Sequence, residues 1–151
     1  MKLSDKFVVA ADRAAVFKFV TDPDSFIKLI PDLQKYEKVD DRNFKVVFKI
    51  GLGMIKGTLN MAFKLEEVKE PEFVKVVGRG SGLQSTADLV LNLSLNQADG
   101  GTEVSWDADI VVGGLVASVG SRLLESTTKT KVREIVEGLK RELEGRKKKK
   151  K

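Results

Sequence analysis

Neither histidine nor cysteine occurs in this 151-residue chain. Acid–base chemistry would therefore rest on carboxylates, lysine amines or Tyr36, the one tyrosine. Disulfide scaffolds, thiolate nucleophiles, iron–sulfur clusters and His- or Cys-based metal sites are excluded. The carboxylates offer little in their place. Glu103, Asp107 and Asp109 share the polar parity of one alternating segment, the pattern of a solvated strand face rather than of a metal site. Gly78-x-Gly80-x-Gly82 hints at a phosphate loop, but a strand pattern follows it where a helix is required. Arg122, Glu125 and Lys129 have the spacing of surface ion pairs on a helix. Asn92-Leu93-Ser94 is a glycosylation sequon in form only. Two hydroxyls are of more interest. Thr127 and Thr128 interrupt the apolar stripe of a C-terminal helix on the face that should point inward. Facing an apolar chamber, either could orient a ligand's polar group. Alternatively, each bonds the carbonyl four residues back and contacts nothing else. No catalytic residue, cofactor or metal is assigned.

The elements that would position these groups follow from periodicity. Residues 2–10 read as a first strand, with Leu3, Phe7 and Val9 on one parity. Asp12 is placed to cap a short helix ending at Val20. Asp22-Pro23-Asp24-Ser25 caps a second, whose Phe26, Ile27, Leu29 and Ile30 continue until Pro31 stops them. From residue 33 the period changes to two. Strands are expected at 33–40, 44–52, 55–65, 73–78, 83–95 and 102–112. Turns are expected at Asp40-Asp41-Arg42-Asn43, Glu70-Pro71-Glu72 and Asp99-Gly100-Gly101. After Gly113-Gly114, one long helix is expected over about 115–145. Its stripe is Leu115, Val119, Leu123, Leu124, Val132, Ile135, Val136, Leu139 and Leu143, with Gly145 as C-cap.

Each strand has one apolar and one polar face, as in an antiparallel sheet solvated on one side. One amphipathic helix must cover that apolar face, so the sheet has to curve around it. Gly51, Gly53, Gly57, Gly78 and Gly80 are the expected bend points. The fold class is α+β, a helix-grip architecture. A curved antiparallel sheet of about seven strands wraps around a long C-terminal helix, with two short helices after the first strand.

A grip of this kind encloses space. Its walls are expected to be Phe26 and Ile30 from the short helices, with Phe44, Phe48 and Ile50 from the 44–52 strand. Leu59, Met61 and Phe63 continue them, followed by Leu89, Leu91, Trp106 and Ala108. Leu123, Leu124, Thr127 and Thr128 close the space from the long helix. Gly57, Ala87 and Ala108 sit at inward parity, and their small size should enlarge it. Any one of these apolar residues serves equally well as plain core.

The formal charge of +5 is unevenly placed: residues 146–151 are all basic, and the rest of the chain sums to −1. The expected division is a helix-grip domain over 1–145 and a disordered basic tail over 146–151. Lys147, Lys148, Lys149, Lys150 and Lys151 suit an anionic membrane surface. At about 1 kcal/mol per basic residue, they allow reversible docking but not stable anchoring. A solubilising end is the plainer alternative. Nucleic acid is disfavoured, because Trp106 and Tyr36 alone give no stacking platform. No apolar run reaches the roughly 20 residues of a spanning helix, and the first residues lack the apolar core of a secretory signal. A cytoplasmic location is expected, with peripheral contact at the inner face of the membrane.

Together, several segments resemble the CoxG family of carbon monoxide dehydrogenase subunits, within the START-like, polyketide-cyclase-like helix-grip superfamily. They are Met1-Lys2-Leu3-Ser4 with Phe7 and Val9, Asp22-Pro23, Ile30-Pro31, and the turn Gly51-Leu52-Gly53-Met54-Ile55-Lys56-Gly57. Gly113-Gly114 with Gly120-Ser121-Arg122-Leu123-Leu124 completes the likeness, which spans about residues 1–145. Asp32 departs from it where the family usually has glycine, the segment around Gly78–Gly82 looks shorter than usual, and the lysine tail lies outside the pattern. The resemblance implies an accessory, non-catalytic protein. Such a protein holds a lipid-like or quinone-like molecule in an internal cavity and assists membrane association of a carbon monoxide dehydrogenase-type partner. Two other readings remain open. A cyclase- or aromatase-like enzyme would need a titratable residue inside the cavity, where only apolar and hydroxyl side chains are read. A protein–protein adaptor would dock through its sheet edge or short helices.

Overall fold

The computed structural model describes the backbone of residues 1–149 and the side chains of 1–145. The first part of the chain forms β1 (Lys2–Val9), α1 (Arg13–Thr21), α2 (Pro23–Phe26) and a 3-10 turn (Ile27–Leu29). Six strands follow: β2 (Leu33–Lys38), β3 (Asn43–Leu52), β4 (Ile55–Lys69), β5 (Phe73–Gly82), β6 (Ser85–Ala98) and β7 (Gly101–Gly114). A second 3-10 turn (Val116–Val119) leads into α3 (Ser121–Lys149). The seven strands form one sheet in the order β1-β7-β6-β5-β4-β3-β2, with every neighbouring pair antiparallel. β2 to β7 are a meander, and β1 joins its far edge beside β7. This is the expected helix-grip fold class, a curved sheet clasped by one long helix.

Local details differ from the sequence reading in instructive ways. Asp12 holds the N-cap position of α1, but its side chain makes no capping bond. Asp22 does cap, accepting from Asp24 N at 3.2 Å and from Ser25 Oγ at 2.9 Å. The long helix begins at Ser121 rather than 115, because Gly120 at φ 95° breaks the chain between the second 3-10 turn and α3. Gly145 is not a C-cap. It lacks a left-handed φ, and α3 continues through it. The basic tail expected at 146–151, including Lys147 to Lys151, lies outside the described side chains. The sheet's two register shifts fall between Leu65 and Glu67 in β4 and between Leu33 and Lys35 in β2, not at the glycines. Residue 83 does not open a strand. Leu83 and Gln84 form the two-residue β5–β6 turn, both at φ 55°.

One end of the grip is densely packed. Val9, Leu65, Val74, Leu95 and Val104 from the sheet meet Val16, Phe17, Phe19 and Val20 of α1 and Leu139 and Leu143 of α3, all buried. Truncating Leu139 or Leu143 to alanine there would cost about 2–5 kcal/mol. Gly138 is buried beside Leu29, where α3 meets the first 3-10 turn. Two polar bonds close this end: Thr102 Oγ1 donates to Ala11 O at 2.7 Å, and Ala10 N donates to Glu144 Oε2 at 3.0 Å.

Asp32 sits at φ 57°, in the region that favours glycine. Its carboxylate meets Lys131 Nζ of α3 at 3.5 Å. Replacing Asp32 by Gly or by Ala removes this pair equally, but only Gly relieves the backbone. Urea unfolding should find Asp32→Gly more stable than Asp32→Ala by about 1 kcal/mol. Equal midpoints would contradict the assignment of strain at this residue.

Candidate ligand-binding site

The concave face divides along the length of α3. Beyond the packed end, side chains at the inward positions of sheet and helix stay only half-buried. On the sheet these include Ile50, Leu89, Ile110 and Val112, and on α3 Leu123, Leu124 and Thr127. The strand register sets the sheet residues side by side: Leu89 pairs with Ile110, and Ala87 pairs with both Gly80 and Val112. These side chains keep part of their apolar surface exposed, which a closed core would not leave.

The expected lining residues fall into distinct places. Phe44 and Met61 are buried, with Phe26, Ile30, Phe48 and Phe63 packed around them beneath the short helices. The rings of Phe44 and Phe63 stack at 5.3 Å, and Phe26 meets Phe44 at 6.0 Å. Leu59 and Ala108 are buried on the sheet. Leu91 and Trp106 are partly buried at the margin of the dense core. Ile50, Leu89, Leu123, Leu124, Thr127 and Thr128 belong to the half-buried region. Gly57 does not enlarge the space as expected, because the Leu83 side chain occupies the position its Cβ would take. Gly78 and Gly80 likewise make room for Phe63 and Met61. Leu83, Ile110 and Val112 also face this region. Parity marked the last two as inward, whereas Leu83 was hidden by the unrecognised turn.

The two threonines behave differently. Thr128 Oγ1 donates to Leu124 O at 2.7 Å, so its hydroxyl is satisfied within the helix. Thr127 makes no hydrogen bond among the described residues and keeps a half-buried hydroxyl available. The rim of the open half is built from two turns and the second 3-10 turn. Gly53, at φ 63°, lies against Leu123 of α3, while Met54 beside it is 100% exposed. Leu115 N donates to Gln84 O at 3.0 Å, and Val116 N donates to Ser85 Oγ at 2.8 Å. Ser85 Oγ in turn donates to Leu83 O at 2.9 Å.

Charged groups lie elsewhere. Asp107 accepts from Asn92 Nδ2 at 2.9 Å, and no group of three metal-ligating side chains is found among the described residues. The Glu125 carboxyl is held below its ordinary range by Lys129, 2.9 Å away. Asp40 is lowered by hydrogen bonds from Asn43 and Arg42 N. Tyr36 is pushed up to about 12 by burial first, then by its hydrogen bond to the Asp24 carboxylate at 2.8 Å. No helix among the described residues is long and apolar enough to cross a membrane. A separate hollow of about 970 Å³ opens on the convex face of the sheet.

Comparison with known proteins places this geometry in a family. The sequence model for the CoxG family of carbon monoxide dehydrogenase subunits matches residues 6–144. No curated protein matches the sequence. A conserved protein from Geobacillus kaustophilus is similar in structure, with a TM-score of 0.88 at 20% identity over 96% of each chain. A START superfamily protein from Mycobacterium smegmatis gives 0.72 at 12% identity, covering 95% of this chain and 97% of its own. Ara h 8.0201 gives 0.71 at 17% identity, covering 96% and 98%. At these identities the structural likeness establishes the fold and not the ligand.

Because Tyr36 is the one tyrosine, its phenolate absorbance can be titrated directly. The midpoint should lie near 12 and move down in Asp24→Asn, staying above 10 because burial and Asp22 still act on the phenol. A folded-state value raised for an acid means that its stability contribution is full below pH 10 and lost as pH rises through 12. A wild-type midpoint at 10 would refute the contact with Asp24.

Proposed function

Since the chain belongs to the CoxG family of carbon monoxide dehydrogenase subunits, we propose that it is a non-catalytic carrier for a hydrophobic molecule, lipid-like or quinone-like. The ligand lies between the open half of the sheet and the N-terminal half of α3. The observation that carries this reading is the incomplete burial of apolar side chains on both elements, Leu89 and Ile110 on the sheet and Leu123 and Leu124 on α3. Burying such surface is worth roughly 25 cal/mol per Å², so an apolar occupant gains what the protein's own packing leaves unrealised. Thr127 supplies the polar contact that fixes the ligand's orientation. The lining is apolar and hydroxyl, which favours holding a ligand over transforming it. Met54 and Leu115, exposed at the rim, suit transient contact with the membrane from which such a ligand would be drawn, and the basic tail adds electrostatic attraction. Escort of a dehydrogenase partner is the accessory role implied by the family resemblance.

Trp106, the one tryptophan, reports occupancy without a label. Its emission should shift to shorter wavelength and saturate as a long-chain fatty acid is added, or be quenched saturably by a short-chain quinone. Ala87→Phe, which fills the space beside Val112, should weaken binding roughly tenfold, equivalent to about 1.4 kcal/mol. Thr127→Val should weaken binding of a quinone roughly fivefold, while Thr128→Val leaves it unchanged. Met54→Asp should slow loading from anionic vesicles without changing affinity in solution. No saturable Trp106 response to either ligand, or an Ala87→Phe protein that binds like the parent, would end this reading.

A further inference from the structure

The convex face carries a feature independent of the grip. Strand register lines up two neighbouring rows of outward side chains across β2 to β6. One row is Glu37, Lys45, Ala62, Arg79 and Asp88, and the other is Lys35, Val47, Asn60, Ser81 and Thr86. These ten residues line the hollow of about 970 Å³. Ala62 and Val47 give it a low floor. Lys45 and Arg79 flank Ala62, with backbones about 10 Å apart at two strand spacings. Asn60, Ser81 and Thr86 offer amide and hydroxyl donors in the adjoining row.

The charge of this face is segregated. Lys35 and Lys45 make no ion pair among the described residues, nor do Lys49 and Lys56 farther along β3 and β4. Arg79 meets Asp88 at 3.1 Å, yet its side chain is 88% exposed. The carboxylates Glu103, Asp107 and Asp109 gather instead on β7. The basin itself holds Lys35, Lys45 and Arg79 against Glu37 and Asp88, and Lys49 and Lys56 beside it extend that cationic excess, next to an acidic strand.

We propose that this basin docks an acidic segment of a partner protein. Its width across β2 to β6 is about 19 Å, the span of roughly six residues of extended chain. Beneath it β3 to β6 are interior strands with their backbone groups paired on both sides, and only β2 is an edge strand, so recognition over the floor falls to side chains. Lys35, Lys45 and Arg79 meet carboxylates, with Arg79 exchanging the exposed Asp88 for the incoming group. A flat bilayer cannot reach a concave floor. Tyr36, the one aromatic residue lining the hollow, has its ring against Phe44 and its hydroxyl on Asp24, so a nucleic acid strand would find no stacking platform and would run against the carboxylates of β7.

The test uses the full chain and a fluorescein-labelled octapeptide of alternating Glu and Gly, read by anisotropy at low salt. Backbone amide shifts of ¹⁵N-labelled protein then locate the bound peptide. Shifts are expected at Val47, Asn60, Ala62, Ser81 and Thr86, with Leu89, Ile110 and Leu123 of the grip unmoved. Lys45→Glu with Arg79→Glu should weaken binding roughly tenfold. The charge-matched control, Lys2→Glu with Lys6→Glu on β1, should change it less than twofold, which separates the basin from the basic tail. Lys45→Gln alone, the milder change, should weaken binding about threefold. Equal losses in the two reversal variants, or shifts confined to residues after 145, would overturn the proposal. So would anionic vesicles or a single-stranded oligonucleotide losing more affinity than the peptide when Lys45 and Arg79 are reversed. Because the grip residues serve as an internal control, failure here leaves the ligand reading untouched.

Discussion

A straight helix can follow a twisted, curved sheet closely over only part of its length. α3 runs 29 residues, about 44 Å at 1.5 Å per residue, while the strands beneath it turn progressively away. Contact is concentrated where Leu139 and Leu143 meet Val9, Leu95 and Val104, with α1 packed alongside. Gly138, beside Leu29, lies in the same packed region. Toward its N-terminus the helix is held at the margins instead, by Leu123 against Gly53 and by Lys131 with Asp32. Between those points Leu89, Ile110, Leu123 and Leu124 stay half-buried. Ala87 adds little bulk there, and Leu83, Met61 and Phe63 lie over glycines of neighbouring strands.

The open half is held together differently from the packed half. At the packed end, apolar contact dominates and local opening must expose many side chains at once. At the rim, the β5–β6 turn takes two non-glycine residues through φ 55°. Three hydrogen bonds offset that cost, from Leu115 N, Val116 N and Ser85 Oγ, and the same bonds tether the second 3-10 turn to the sheet. Buried Val116 and Ser85 sit at this junction, so hydrogen bonds and a small apolar contact hold the rim, where broad apolar packing holds the other end.

Much of this was legible in the sequence. Period-two alternation over 44–52, 55–65 and 102–112 identified the inward faces of β3, β4 and β7, because a half-buried sheet imposes that pattern directly. The Asp99-Gly100 turn was visible because glycine is the residue such a turn needs. The Leu83-Gln84 turn was not, since neither residue is a turn former and tertiary hydrogen bonds stabilise it. Gly57 misled for a related reason: a missing side chain reads as a void until the neighbour that fills it is placed, and Leu83 comes from the turn after β5, the strand beside β4. The helix boundary was missed because Leu115 and Val119 fit the helical stripe, while the break at Gly120 depends on its φ. Thr127 and Thr128 could not be told apart by type or position. Only the bond from Thr128 to Leu124 distinguishes them.

Alternation also lets one sheet carry two unrelated chemistries. Along β4 the series Leu59, Asn60, Met61, Ala62, Phe63, Lys64 sends apolar groups into the grip and polar or small groups outward. A substitution at an odd position alters the packing beneath the helix, and one at an even position alters the convex basin. Ala62 shows the separation well. It is small on the outside, where it leaves the floor of the basin low, and its neighbours Met61 and Phe63 are large on the inside, where Gly80 and Gly78 receive them. Because register fixes which set faces which side, slipping one strand by a single residue would exchange the two faces and destroy both. The bulge between Leu65 and Glu67 falls beyond these rows, so both faces keep their phase across the region that matters. Ligand and partner surfaces on such a sheet can therefore change independently, provided the pairing of β3, β4 and β5 does not.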